Sequence, residues 1–327
     1  MVLASTSMAS LPIAIGTSAN EQGSTFIIAQ VKSTLKNMAT VKNYLSLIKF
    51  SHTIFAMPFA LIGFCLGIQH DGINRLSNHH IITFVLVLIC MVSARSAAMA
   101  FNRYLDRQFD AKNPRTAIRE IPKGIISPGN ALAFTIGSCI VFVVACYFIN
   151  TAVLILSPIA LFVVLFYSYT KRFTALCHLV LGVGLSLAPI GAYLAVTGVF
   201  AWLPILFALS VVFWVSGFDI IYALQDEAFD KANKLHSIPA ALGTSKALRV
   251  SELLHLLSAA CVIIAGFYGG FHWLYWAGIA VFAGMLIYQH SIVKPTDLSK
   301  VNIAFMTANG IASVVFAVFV ISDLFIL

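Results

Sequence analysis

Nine stretches of about 20 mostly apolar residues, each the length needed to cross hydrocarbon as a helix, follow one another along this 327-residue chain. They fall at approximately 51–69, 81–104, 129–149, 151–169, 175–196, 201–222, 247–267, 271–290 and 302–325. In lipid every backbone N–H and C=O must be satisfied within the structure, so such segments fold as helices or not at all. The composition agrees. The chain is 60% hydrophobic and 10% charged, against about 25% charged residues in a soluble domain. The expectation is an all-α integral membrane protein, and a soluble enzyme is excluded. Only Asn150 and Thr151 divide the third span from the fourth, which demands a tight turn there.

The formal net charge of +8 would suggest nucleic acid in a soluble protein. Here it is better explained by loops that obey the positive-inside rule. With the N-terminus in the cytoplasm, inside segments hold 18 of the 20 Lys and Arg. Arg75 alone falls outside, and Arg95 lies within a span. The two long polar loops, 105–128 and 223–246, then both face the cytoplasm. This is the arrangement of a multi-pass protein of the bacterial inner membrane, with the lipid bilayer as partner and no nucleic acid.

An internal repeat follows from those loops. Each opens with acids and runs on to an Ile-Pro with a later glycine: Ile121-Pro122 with Gly124, and Ile238-Pro239 with Gly243. Pro58 of the first span matches Pro189 of the fifth. Two four-helix halves plus a ninth helix are expected, within a domain covering 41–327. Residues 1–40 are rich in Ser, Thr and Ala, and lack both arginine and a basic start before the first apolar stretch. They read as a poorly ordered extension, with Met38 a plausible start. The six cysteines all lie in apolar runs without a CxxC pair, and read as small hydrophobes.

Carboxylates are costly near lipid, yet the second span ends in FNRYLDRQFDAKNPRT (101–116). Asn102, Asp106 and Asp110 recur at four-residue steps, within about an 80° arc of a helix. In the second half, GFDIIYALQDEAFDKANK places Asp219, Tyr222, Asp226 and Asp230 on a similar arc. One such row is more often a solvated helix face. Two rows at matched positions of a repeat, one reaching Asp219 at membrane depth, point to a site. Carboxylates this close need a cation, and all-oxygen ligands suit Mg²⁺ or Ca²⁺. Mg²⁺ uses one or two carboxylates and completes its shell with water and phosphate, so the rows read as a clamp for a metal-bound diphosphate. Arg107, Arg115, Arg119, Lys123, Lys231 and Lys234 are suitably placed for phosphate contacts. Arg95, on the face of Asn102, either pairs with an acid or receives an anionic substrate group.

Three stretches resemble the UbiA superfamily of intramembrane aromatic prenyltransferases: RSAAMAFNRYLDRQFDAKNPRTA (95–117), YSYTKRF (167–173) and DIIYALQDEAFDKANKLHSIP (219–239). The run NPRTAIREIP is similar to the 4-hydroxybenzoate polyprenyltransferase branch, and to enzymes thought to prenylate dihydroxynaphthoate in the alternative menaquinone pathway. The resemblance implies nine helices around a central cavity with a lateral opening to lipid. It implies Mg²⁺ and polyprenyl diphosphate on Asp106, Asp110, Asp226 and Asp230, assisted by Asn102. Arg95 would meet the carboxylate of the aromatic acid and Asp219 would act on that acceptor. Tyr167, Lys171 and Arg172 match an element near the diphosphate. The second motif departs in its middle residues, Glu227, Ala228 and Phe229, where other members are often more acidic. The reaction implied is prenyl transfer to 4-hydroxybenzoate for ubiquinone biosynthesis, or to 1,4-dihydroxy-6-naphthoate for menaquinone. A transporter also combines repeats with intramembrane charge, but has no need of two acidic rows and phosphate-suited cations at one rim.

Overall fold

The computed structural model describes residues 42–48, 57–70, 72 and 77–326. The expected extension over 1–40 lies outside them. The chain divides into residues 1–45 and 46–327, and every element below belongs to the second unit. In order these are α1 (Met57–His70), α2 (Asn78–Lys112), α3 (Pro128–Ile149), α4 (Thr151–Thr170), α5 (Cys177–Thr197) and α6 (Trp202–Ala223). A 3-10 turn (Leu224–Asp226), α7 (Glu227–Ala232), α8 (Ile238–Leu242), α9 (Thr244–Gly269), α10 (Trp273–Ile292), a π-helical turn (Ile303–Ala308) and α11 (Asn309–Ile326) follow. Among the described residues the one strand-type pairing is an isolated bridge between Lys294 and Asp297.

Seven of these helical segments are long and apolar enough to cross a membrane, against nine expected spans. The first expected span is described only over the 14 residues of α1. The eighth, α10, has 20 residues, but Trp273, Tyr275, Trp276, Tyr288, Gln289 and His290 lower its mean hydropathy. The turn between α3 and α4 consists of Asn150 alone, in extended backbone. Its Oδ1 accepts the Val153 N–H at 2.9 Å to cap α4, and its Nδ2 donates to the Leu194 carbonyl of α5 at 2.8 Å.

Packing is closest where side chains are smallest. α1 lies along α5, and a Cβ on Gly63 would stand 2.1 Å from the Pro189 carbonyl oxygen. The two prolines matched in sequence, Pro58 and Pro189, thus lie on helices that pack together. α5 also packs on α6, α6 on α9, α10 on α11, and α11 on α1. An aromatic core joins α1, α6, α10 and α11: Phe59 stands 5.3 Å from Trp214 and Phe282 5.2 Å from Phe316, centroid to centroid. Within this apolar volume the Asn309 Oδ1 accepts from Trp214 Nε1 at 2.9 Å and Gln289 Nε2 at 2.7 Å. One amide carbonyl with two lone pairs thereby fixes three helices at once. Away from the core, Ile136, Ile140, Phe148, Ile155 and Phe162 of α3 and α4 are exposed, the surface a lipid environment requires. An apolar groove of about 610 Å³ between α2 and α3, lined by Val85, Ile89, Val92, Phe134 and Val141, carries none of the acidic residues.

Candidate active site

The first acidic row needs no separate element. α2 is 35 residues long and carries Asn102, Asp106 and Asp110 on the turns that continue past its apolar part. Asn102 Nδ2 donates to Asp106 Oδ2 at 3.1 Å. The second row differs from expectation. Asp219 and Tyr222 lie on α6, Asp226 on the 3-10 turn and Asp230 on α7, so it is not one uninterrupted α-helix. A 3-10 turn winds more tightly, with three residues per turn, and re-aims Asp226 relative to Asp219.

Cations from two segments join the rows. Arg115, in the loop after α2, grips Asp226 with two bonds, Nε to Oδ1 at 3.0 Å and Nη2 to Oδ2 at 2.5 Å. Its Nη1 reaches the Tyr222 hydroxyl at 3.0 Å. Asn113 of the same loop also donates to Asp226 Oδ1, at 3.0 Å. Lys171 and Arg172, adjacent at the end of α4, divide between the rows. Lys171 Nζ lies 2.8 Å from Asp230 Oδ1, and Arg172 Nη2 lies 2.9 Å from Asp106 Oδ1. Arg119 Nη1 holds Asp110 Oδ1 at 2.6 Å. One dipeptide therefore ties an acid of each half to the same place. Burial opposes the charge on Lys171, but Asp230 beside it outweighs this and raises its pKa. The same balance, with Asp226 as partner, raises that of Arg115. Both stay cationic at neutral pH.

Four further sequence-named residues separate into two groups. Arg95 is largely buried on α2 with its Nε unpartnered. Tyr167 feels the charges of Asp106, Arg95 and Asp219 together, which places these four in one electrostatic neighbourhood. Lys231 instead pairs with Glu227 at 2.6 Å, on an exposed face. Lys234 is exposed and takes a left-handed backbone, φ 54°. Neither reaches the acidic rows.

Two residues at the site had no sequence signal of their own. His178, buried on α5, sets Nδ1 2.7 Å from Asp219 Oδ2. A lone histidine inside an apolar span carries no periodicity that marks it. Arg103, also buried, has Nε and Nη1 unpartnered and feels Asp110, Glu120, Arg119 and Tyr167. As sequence it counts only toward loop charge.

The donor set is oxygen-rich, which suits a hard cation. Among the described residues no three acidic, His or Cys side chains close on one point. An ion held here would therefore take part of its shell from substrate oxygens and water. Asp110 Oδ2 is buried without a hydrogen bond, a free oxygen of the kind such an ion would use. The acids that were expected to need a metal for neutralisation already have Arg115, Arg119, Lys171 and Arg172 as counter-charges.

Known proteins share this chain's sequence pattern and fold. Over 240 residues the chain is 28% identical to a 4-hydroxybenzoate octaprenyltransferase of Francisella tularensis subsp. novicida (strain U112), covering 72% of this chain and 83% of that one. Against the enzyme of the same name from Nitrosospira multiformis it is 28% identical over 253 residues, covering 77% and 85%. The apo structure of a UbiA homolog from Aeropyrum pernix K1 superposes with a TM-score of 0.70 at 27% identity, over 84% of this chain and 97% of that one. A UbiA homolog from Archaeoglobus fulgidus bound to GPP and Mg²⁺ shares the fold, with a TM-score of 0.65 at 20% identity, over 87% and 100%. The model of the UbiA prenyltransferase family matches residues 51–311, and a match over that much of its length means that the chain belongs to this family.

Proposed function

We propose that the protein transfers a polyprenyl group from polyprenyl diphosphate to an aromatic acid, 4-hydroxybenzoate in the first place, in a magnesium-dependent reaction that releases diphosphate. The observation that carries this reading is the division of Lys171 and Arg172 between Asp230 and Asp106, which gathers both acidic rows and their cations around one locus. The names of the Francisella and Nitrosospira relatives support the acceptor. The GPP and Mg²⁺ of the Archaeoglobus structure support the donor and the metal.

Asp106, Asp110, Asp226 and Asp230, with Asn102, would hold the metal. Bound there, Mg²⁺ supplies charge that stabilises the departing diphosphate. Arg115, Arg119, Lys171 and Arg172 bind the phosphate oxygens, the guanidinium forks and the Lys171 ammonium turning from carboxylate to phosphate. Tyr222 keeps Arg115 in place. As the allylic C–O bond breaks, these cations stabilise the charge that gathers on the leaving group. Arg95 receives the acceptor's carboxylate, and Tyr167 stands beside it. Asp219 orients the acceptor's hydroxyl so that an electron-rich ring carbon meets the allylic carbon. Apolar walls keep out water that would quench the allylic cation. Positive-inside loops put this chemistry at the cytoplasmic rim of the bacterial inner membrane.

Purified protein incubated with a long prenyl diphosphate and 4-hydroxybenzoate is expected to release diphosphate only when Mg²⁺ is present. Running 1,4-dihydroxy-6-naphthoate in parallel identifies the acceptor. Absence of release with both acceptors would overturn the reading.

A further inference from the structure

His178 is placed to do more than fill space. Its ring has two partners on opposite sides: Nδ1 lies 2.7 Å from Asp219 Oδ2, and Nε2 faces the Ile238 N–H at 3.4 Å. A nitrogen that accepts from an N–H carries no proton, so the ring's proton belongs on Nδ1 and is donated to the carboxylate. A doubly protonated ring would set two N–H groups against each other at Ile238. The Ile238 N–H thus favours the arrangement in which the ring donates from Nδ1 to the Asp219 carboxylate. Asp219 Oδ1 has no partner among the described residues, and the side chain is 24% exposed, while His178 is buried at 3%.

Ile238 is itself part of the second row's support. It opens α8, where the first N–H groups of a helix have no intrahelical acceptor. Ser237 caps that helix, accepting the Ala240 N–H at 3.2 Å, and donates to Asp230 Oδ2 at 2.9 Å. Asp230 in turn meets Lys171. A continuous chain therefore runs from Asp219 through His178, Ile238 and Ser237 to Asp230, from the membrane-depth acid to the row assigned to the diphosphate.

We propose that His178 is a positioning residue for the acceptor. Its imidazole occupies one oxygen of Asp219, fixes the orientation of the carboxyl group, and leaves Oδ1 to accept the hydrogen bond of a phenolic hydroxyl. A phenol bound this way gains electron density in the ring, at the carbon that attacks. The selected class of acceptor is a hydroxyarene able to donate to a carboxylate. This inference rests on Asp219 being the acceptor-side acid.

The test uses full-length protein in detergent, with geranyl diphosphate and 4-hydroxybenzoate varied separately. His178→Leu removes the bond to Asp219. It is expected to lower kcat and raise the acceptor's KM for a combined loss of about 10- to 100-fold, the scale of one lost hydrogen bond to a charge. The KM for geranyl diphosphate should stay within about threefold, about 0.65 kcal/mol in binding. His178→Asn places an amide N–H where Nδ1 stood and should recover most of the loss, which a mere packing role would not allow. If His178→Leu does not fold, judged by its melting curve, His178→Gln replaces it, its amide lying at the Nε2 end. Adding Asp219→Asn to His178→Leu should cost little more than either change alone, because the two act as one unit. A folded His178→Leu enzyme of wild-type kinetics beside an impaired Asp219→Asn would overturn the role of His178. So would His178→Asn as impaired as His178→Leu. Wild-type kinetics in Asp219→Asn would overturn the assignment of Asp219 instead, and the inference with it.

Discussion

Arg115 shows how much one side chain decides. It leaves the first loop to make a two-pronged bond with an acid of the other half of the chain, and it stacks near the Tyr222 ring, 5.3 Å from its centroid. Removing either member of such a pair strands the other charge where it is partly buried, typically at about 3–5 kcal/mol when burial is complete. Asp226→Ala is accordingly expected to abolish turnover, and so is Asp106→Ala. Near-normal diphosphate release in either variant would refute their metal role. Arg172→Ala should cost about 10- to 100-fold in kcat/KM for the prenyl diphosphate, the worth of one charged hydrogen bond. Arg95→Ala should raise KM for the acceptor far more than for the diphosphate, and equal effects in steady-state kinetics would argue against carboxylate capture. The acids and Arg115 were legible as residues because their four-residue spacing and loop position stand out against apolar sequence, and the Lys171–Arg172 pair was legible through the resemblance of YSYTKRF to the family. His178 and Arg103 were not, since a single polar residue at a helix face has no period to read.

Between elements, fit is set by what a helix lacks as much as by what it carries. Gly63 permits α1 to touch the backbone of α5. A Gly63→Ala protein would place a methyl 2.1 Å from the Pro189 oxygen, and overpacking of this kind costs about 1–3 kcal/mol or more. Its melting temperature in detergent should fall clearly, and an unchanged curve would mean the helices are not held so closely. The start of α10 is capped from afar. His272 makes no side-chain cap, and Asp323 near the end of α11 accepts the His272 N–H at 2.9 Å and the Tyr275 N–H at 3.1 Å. Asp323→Ala should lose about 1–3 kcal/mol of stability with little effect on KM for either substrate, as measured by melting curves alongside kinetics. In sequence Asp323 was an isolated acid inside the last span. Its partners lie about 50 residues earlier, a distance no local pattern spans.

For the molecule as a whole, placement in the bilayer and dependence on metal are the testable properties. Chelation of divalent ions should stop diphosphate release, and added Mg²⁺ should restore it; release that persists in chelator would exclude a metal-dependent clamp. Cysteines introduced at Lys234 and at Val199, both exposed, should react with an impermeant thiol reagent from opposite faces of sealed vesicles. Labelling of both from one side would contradict the assigned topology. The amino-acid sequence by itself determined that this is a helical membrane protein with two acidic rows. Apolar length and charge spacing are local quantities, and helix formation in lipid follows from them residue by residue. Only the tertiary structure decided that each row meets its own set of cations, that the second row bends through a 3-10 turn, and that a histidine backs Asp219. Apart from Arg119 and Asp110, nine positions apart, those side-chain contacts join residues separated by 41 to 111 positions. Their energies depend on distance in space, which the order of residues along a chain does not specify.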